Sequence, residues 1–137
     1  MEGMLPETET LKPPALAKTL GSLLYEHKGI DVIVLDLRES ETWTDFFVIA
    51  TATSDTHLDG LERHIKDFCR ESGIEILRRS RRPPALNKNQ GDEWRIIDLG
   101  SIVIHLMSRQ ARAFYDLERL FSMAGPPVPA VTDHSSS

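Results

Sequence analysis

The stretch GDEWRIIDLGSIVIHLM, Gly91 to Met107, reads as two short strands joined at Gly100-Ser101. Glycine as the first central residue fits a two-residue type II′ turn, because that position needs a positive φ. The turn then sets the register. Leu99 falls opposite Ile102 and Asp98 opposite Val103, and the pairing continues outward. Opposed residues share a face. One face is Arg95, Ile97, Leu99, Ile102, Ile104 and Leu106, apolar except at one end and suited to a core. The other is Trp94, Ile96, Asp98, Val103, His105 and Met107, which sets an aromatic and aliphatics beside two hydrogen-bonding groups. Two assignments fit this second face. If exposed, it is a partner site, since Trp and Met are enriched at interface centres and exposed apolar patches mark contacts. If a helix packs on it, Trp94 joins a core and Asp98 and His105, as diagonal neighbours, form a buried pair. A slip of one residue would exchange the faces.

Outward from the hairpin, the chain alternates helical and strand patterns. Pro13-Pro14 opens a helix through ALAKTLGSLLYEHKG, with Leu16, Leu20, Leu23 and Leu24 as its stripe and Gly29 as its stop. Asp31–Glu39 is short and β-branched, a strand. Phe46–Ala52 is a second strand, whose continuous apolar run implies burial on both faces. Ser54 caps a helix to Ser72, closed by Gly73, with Leu58, Leu61, Ile65 and Phe68 facing inward. Ile74–Arg78 reads as a short strand, 79–92 as a long loop, and about Arg109–Phe121 as a last helix with Phe114, Leu117 and Phe121 on its core side. The expected fold is α/β: a single domain with a mixed β-sheet flanked by helices. Its ordered part spans 13–123. Residues 1–12 and the Pro- and Ser-rich 124–137 are expected to be disordered ends.

Composition narrows the class. The chain has 137 residues, 27% charged, with a net charge of −5, so the whole molecule is no magnet for nucleic acid. Its one cysteine, Cys69, excludes an internal disulfide framework and fits a reducing compartment. The start, MEGMLPETET, does not resemble a secretory signal, and no run approaches the roughly 20 apolar residues of a membrane span. These features point to a cytoplasmic protein with no membrane contact.

Motifs of chemistry are few. TATSDTH lacks the glycines of a phosphate loop, so N-capping by Ser54 is the simpler role. Asp36 and Asp45 form no tight D-x-D pair. His57 and His64 are seven apart without the i, i+4 spacing of a zinc helix, and Cys69 lies off their row. No cofactor, metal or catalytic residue is therefore expected. The segment RRSRRPPALNKNQ is more distinctive. It holds Arg78, Arg79, Arg81, Arg82 and Lys88, five of the chain's 16 basic residues, and none of its 21 acids. Such segregation makes it a candidate for contact with RNA phosphates or an acidic partner, against the plain alternative of a solvated loop. Tyr115 and Glu118 flank the core stripe of the last helix, where the tyrosine is either a partner contact or a half-buried edge.

Three segments in order, TWTDFFVIATATSDTHLDGL, EWRIIDLGSIVIHLM and RAFYDLERLF, resemble the ribosomal silencing factor family, also called Iojap-like. The resemblance runs from about Ala15 to Phe121. It implies a nucleotidyltransferase-like fold without the catalytic acids. It also implies binding to the large ribosomal subunit through ribosomal protein fourteen, blocking subunit joining and repressing translation. Organelle relatives assist large-subunit assembly. The family's hairpin corresponds here to Trp94, Asp98, Gly100, Val103 and His105, and its closing helix to Tyr115, Leu117, Glu118 and Leu120. The resemblance favours the partner assignment for the hairpin face. Ser101 stands where many members have an acid, and Arg78–Gln90 is longer and more basic than usual. The alternatives are an assembly factor contacting ribosomal RNA, or a nucleotidyltransferase-fold enzyme. Whether the chain forms a homodimer is left open.

Overall fold

The computed structural model describes residues 12–39, 44–81, 93–114 and 128–129. Helix α1 (Pro13–Glu26) begins with its prolines in the first turn, where a missing N–H costs nothing. It buries Leu16, Ala17, Leu20, Gly21 and Leu24. The left-handed residue at its end is Lys28, with φ 72°, and not Gly29. Gly29 serves instead by having no side chain: a Cβ there would lie 2.8 Å from the Leu24 carbonyl oxygen.

Strand β1 (Ile30–Asp36) pairs antiparallel with β2 (Phe46–Ala52), with a bulge between Ile30 and Ile33. Every residue of β2 is buried, as its apolar run implies for a central strand. Helix α2 (Asp55–Ser72) is capped at the start by Ser54, whose hydroxyl accepts from the His57 N–H at 3.0 Å, and at the end by Gly73 in the left-handed conformation. Strands β3 (Arg78–Arg81), β4 (Trp94–Asp98) and β5 (Ile102–Ser108) follow, then a short helix α3 (Arg109–Phe114). The rest of the helix expected to reach Phe121 lies outside the described residues. A two-residue strand β6 (Val128–Pro129) completes the sheet in the order β3-β4-β5-β2-β1-β6. Only β5 and β2 run parallel, and the other neighbours are antiparallel, so the sheet is mixed.

Two expectations change. The strand placed at Ile74–Arg78 starts at Arg78 and takes in Arg79 and Arg81, which read as loop. Pairing decides this: β3 lies along β4 from Arg78 opposite Asp98 to Arg81 opposite Arg95. Cross-strand bonds to an apolar neighbour override the loop-like composition. Val128–Pro129 falls in the segment expected to be loose, yet pairs with Val34 and Ile33. It satisfies part of the outer edge of β1, and a proline is tolerated on such an edge.

Helices α1 and α2 cover one face of the sheet, closing a core of Leu16, Leu20, Val48, Leu58, Ile65, Ile97, Ile104 and neighbours. A second cluster on the opposite face holds Leu35, Leu37, Phe47, Ile49, Trp94, Val103, Met107 and Ala111. Among the described residues no helix is long and apolar enough to cross a membrane.

Candidate functional site

The β4–β5 hairpin has the register the turn implied. Asp98 pairs with Val103, Ile97 with Ile104, Ile96 with His105, and Trp94 with Met107. Leu99 N–H donates to the Ile102 carbonyl at 2.8 Å, and Gly100 has φ 97°. The tip is tied into the fold by the start of β2: Thr44 Oγ1 donates to the Gly100 carbonyl at 3.0 Å, and the Asp45 and Phe46 N–H groups donate to the Ser101 carbonyl.

The face of Trp94 is not open to solvent. Trp94 is 6% exposed, His105 6%, Val103 1% and Met107 0%, and Ile96 is half-buried. The exposed assignment is thus corrected, for a physical reason visible only in the sheet. Leu35 and Leu37 from β1 and its end, with Phe47 and Ile49 from β2, extend the hairpin's apolar face into one continuous cluster, and Ala111 of α3 packs on it. So much apolar surface is costly to leave in water.

The buried pair within this face is also not the expected one. Trp94 Nε1–H donates to His105 Nδ1 at 3.0 Å. The other diagonal neighbour, Asp98, turns to the hairpin tip, where its Oδ1 accepts from the Gly100 N–H at 2.8 Å and its Oδ2 lies 3.4 Å from Arg78. Because Nδ1 is an acceptor, the neutral imidazole carries its proton on Nε2. Burial, and secondarily the charge of Arg112, push the His105 pKa down to about 3, so the ring stays neutral. Nε2 is buried without a hydrogen-bond partner among the described residues, and the Phe47 ring stands edge-on 4.4 Å from the imidazole. An unmatched buried N–H of this kind costs about 1–3 kcal/mol.

On the opposite face, the polar end of the core row is Arg95. It is 6% exposed and bonds through Nη1 to Asp59 and to Glu62 of α2, the latter at 2.9 Å. Burial opposes its charge, but the two carboxylates outweigh that and hold its pKa above the ordinary value. The sequence carried a signal for this. An arginine on a strand's inward row needs acids, and Asp59 and Glu62 each follow a stripe leucine, Leu58 and Leu61.

The basic segment is less segregated in space than along the chain. Arg79 reaches Glu62 at 3.5 Å and Arg78 reaches Asp98, both from exposed side chains on the edge strand. Arg81 belongs to the same strand, while Arg82, Lys88, Tyr115 and Glu118 lie outside the described residues.

Other candidates have structural employment. Asp36 accepts a forked bond from Arg38, at 2.9 and 2.7 Å, and that bond keeps its carboxyl below the usual range. His57 accepts from the Thr53 N–H through Nδ1 and meets the His27 carbonyl through Nε2, both at 2.9 Å. The His64 ring stacks on His27 at 3.5 Å. Cys69 is buried, and burial pushes its thiol up to about 11, far from a reactive thiolate. No group of three metal-binding side chains occurs among the described residues. Sequence reasoning missed one cluster. Arg112 donates to Thr51 Oγ1 at 2.7 Å and to the Asp31 carbonyl at 2.9 Å, joining α3 to β2 and β1. Nothing in the local pattern announces it, since 61 and 81 residues separate the partners.

Comparison with known proteins places this architecture. The chain is 36% identical to a ribosomal silencing factor of Treponema pallidum over 105 residues, covering 77% of this chain and 88% of that one. It is 31% identical to the mouse protein called mitochondrial assembly of ribosomal large subunit protein 1, over 76% of this chain but 44% of that longer one. A crystal structure of a Chromobacterium violaceum protein shares the fold, with a TM-score of 0.69, 24% identity, and coverage of 82% of this chain and 88% of that one. The family described as ribosomal silencing factor during starvation matches residues 10–136. With nearly the whole chain matched and the α/β fold shared, this protein belongs to the ribosomal silencing factor family.

Proposed function

We propose that this chain binds the large ribosomal subunit through ribosomal protein fourteen, blocks subunit joining and so represses translation in the cytoplasm. The observation that carries this reading is the family match over residues 10–136. The name of the Treponema relative, a ribosomal silencing factor, supports it. The action is steric and needs no catalysis or cofactor. Trp94, Val103, His105 and Met107 are buried, so their part is to frame the hairpin and hold its tip and edge in shape. Contact falls to what that frame displays: half-buried Ile96, the Asp98-braced tip with exposed Leu77 and Arg78, and, by family resemblance, Tyr115 and Glu118. Arg78, Arg79, Arg81, Arg82 and Lys88 add contact with RNA phosphates. Arg78 and Arg79 are shared with Asp98 and Glu62, so they tune affinity without choosing the site.

The test is subunit joining in a purified system. Adding the chain to separated subunits should lower the joined fraction and cell-free protein synthesis, and the chain should sediment with large subunits alone. Leu77→Asp, a change at an exposed position, should weaken the block. If joining is undisturbed at saturating protein, silencing is the wrong activity. A role in large-subunit assembly then becomes the better account, a reading that the mouse relative's name favours. That role predicts immature large-subunit particles when the protein is depleted.

A further inference from the structure

We propose that the cleft beyond the carboxyl ends of β2 and β5 binds a small phosphate monoester, held by Arg109 and Thr51 beside the fixed charge of Arg112. The inference is independent of ribosome binding and uses none of the hairpin surface. The cleft has a volume of about 280 Å³ and is lined by Ile30, Asp31, Thr51, Arg109, Arg112 and Ala113. That is near the lower end of small-molecule pockets, roughly 300–1,000 Å³.

Several independent features meet there. Strands β2 and β5 are the parallel neighbours in the sheet, and open α/β sheets offer ligands the space beyond the carboxyl ends of such strands. Thr51 is the next-to-last residue of β2, and Arg109 directly follows β5. The Thr51 side chain is almost wholly buried, and its oxygen already accepts a bond from Arg112 Nη1. Its hydroxyl proton is therefore left to be donated to a further acceptor. Arg112 is clamped by Thr51 and the Asp31 carbonyl, so its positive charge is set in one place before any ligand arrives. Asp31 has φ 51°, an uncommon conformation for a residue with a side chain, and it lies in the β1 bulge. Bulges and strained residues of this kind concentrate at ligand sites. Arg109 is exposed and enters no ion pair among the described residues.

The donor set selects the ligand. Among the described residues the lining carries two guanidiniums and one carboxylate, that of Asp31, and the exposed Arg109 enters no ion pair there, so an anion is the fitting ligand. A phosphate monoester presents three acceptor oxygens and close to two charges, enough for the Thr51 hydroxyl and a forked bond from Arg109. A carboxylate offers two oxygens and one charge. A nucleic-acid diester carries one charge and continues past a cleft this small in both directions. Ile30 and Ala113 supply an apolar wall for the organic part of the ester.

The test is titration of the full chain with inorganic phosphate, AMP, acetate and an RNA tetranucleotide lacking a terminal phosphate, at constant ionic strength, followed by amide NMR shifts. AMP and phosphate should saturate at roughly millimolar concentration or below, with shifts centred on residues 30–31, 51 and 109–113. Arg109→Gln, at an exposed position, should weaken AMP binding roughly tenfold, the worth of one charge-assisted contact. Thr51→Val should weaken it several-fold, with distant shifts unchanged as the check on folding. The proposal fails if neither phosphate nor AMP saturates, if acetate or the tetranucleotide binds as tightly as AMP, or if both variants bind AMP as the parent does.

Discussion

Arg95 on one face of the hairpin and His105 on the other are buried to the same depth, and the fold keeps them in opposite charge states. Arg95 faces helix α2, which offers the carboxylates of Asp59 and Glu62, and it remains charged. His105 faces Trp94, Phe47 and the charge of Arg112, and it remains neutral. The strands are the same and so is the depth of burial. What differs is the neighbour supplied by a distant part of the chain. A buried charge persists where its partners carry the opposite sign, and otherwise the group gives up its charge.

The largest effect should come from removing the partner on the neutral face. Trp94→Ala deletes a buried indole and leaves His105 Nδ1 without its donor, so it should cost about 3–5 kcal/mol in denaturant unfolding. A variant within 1 kcal/mol of the parent would mean that this face is not a core. Ribosome assays on this variant therefore report folding first, and Trp94→Phe is the better probe of the frame.

The charged face should respond slightly less. Asp59→Asn together with Glu62→Gln leaves Arg95 buried without a counter-charge and should cost about 2–3 kcal/mol, reduced because Asp59 is largely exposed. Adding Arg95→Met should recover most of the loss. Failure to recover would show that the carboxylates stabilise α2 by some other route.

Acid should separate the faces again. His105 in the folded protein titrates well below an unfolded histidine, and His64 is also lowered, first by burial and then by His27 and Arg63. The unfolded chain therefore takes up these protons first as pH falls. The stability the neutral His105 ring contributes is complete above about pH 6.5 and is lost progressively toward pH 3, with a slope of up to about 1.4 kcal/mol per pH unit, and His64 acts in the same direction. Replacing His105 by Phe should flatten unfolding free energy against pH between 6 and 4, whereas Arg95→Met should leave that slope alone.

The smallest effect should be shared by both faces. Gly100→Ala places a side chain at φ 97° and 3.3 Å from Leu77 Cδ1, and should cost about 1 kcal/mol without shifting the strand register. Changed cross-strand contacts in its NMR spectrum would show that the turn alone sets the register, with no help from Thr44 and the start of β2.

Much of the fold was legible because its signals are local. The proline start of α1, the Ser54 and Gly73 caps of α2, the doubly buried β2 and the Gly100 turn each follow from neighbouring residues, and the structure has all four. The β3 strand was not legible, because four residues of Arg and Ser carry no strand signal until β4 lies beside them. The candidate site was half legible. Hairpin pairing sorted Trp94, Asp98, Val103, His105 and Met107 onto one face correctly, yet pairing cannot say whether a face is covered.

The sequence by itself determined the order of the elements other than β3 and β6, the register of the hairpin and the membership of each face. Those depend on side-chain alternation and on turn and cap geometry, which act over a few residues. Only the tertiary structure decided that both faces are buried, that His105 pairs with Trp94 and not Asp98, that Arg95 keeps its charge, and that Arg112 meets Thr51 and Asp31. Those outcomes depend on which groups the fold brings within about 3 Å of one another, and hydrogen bonding and desolvation act at that range whatever the separation along the chain.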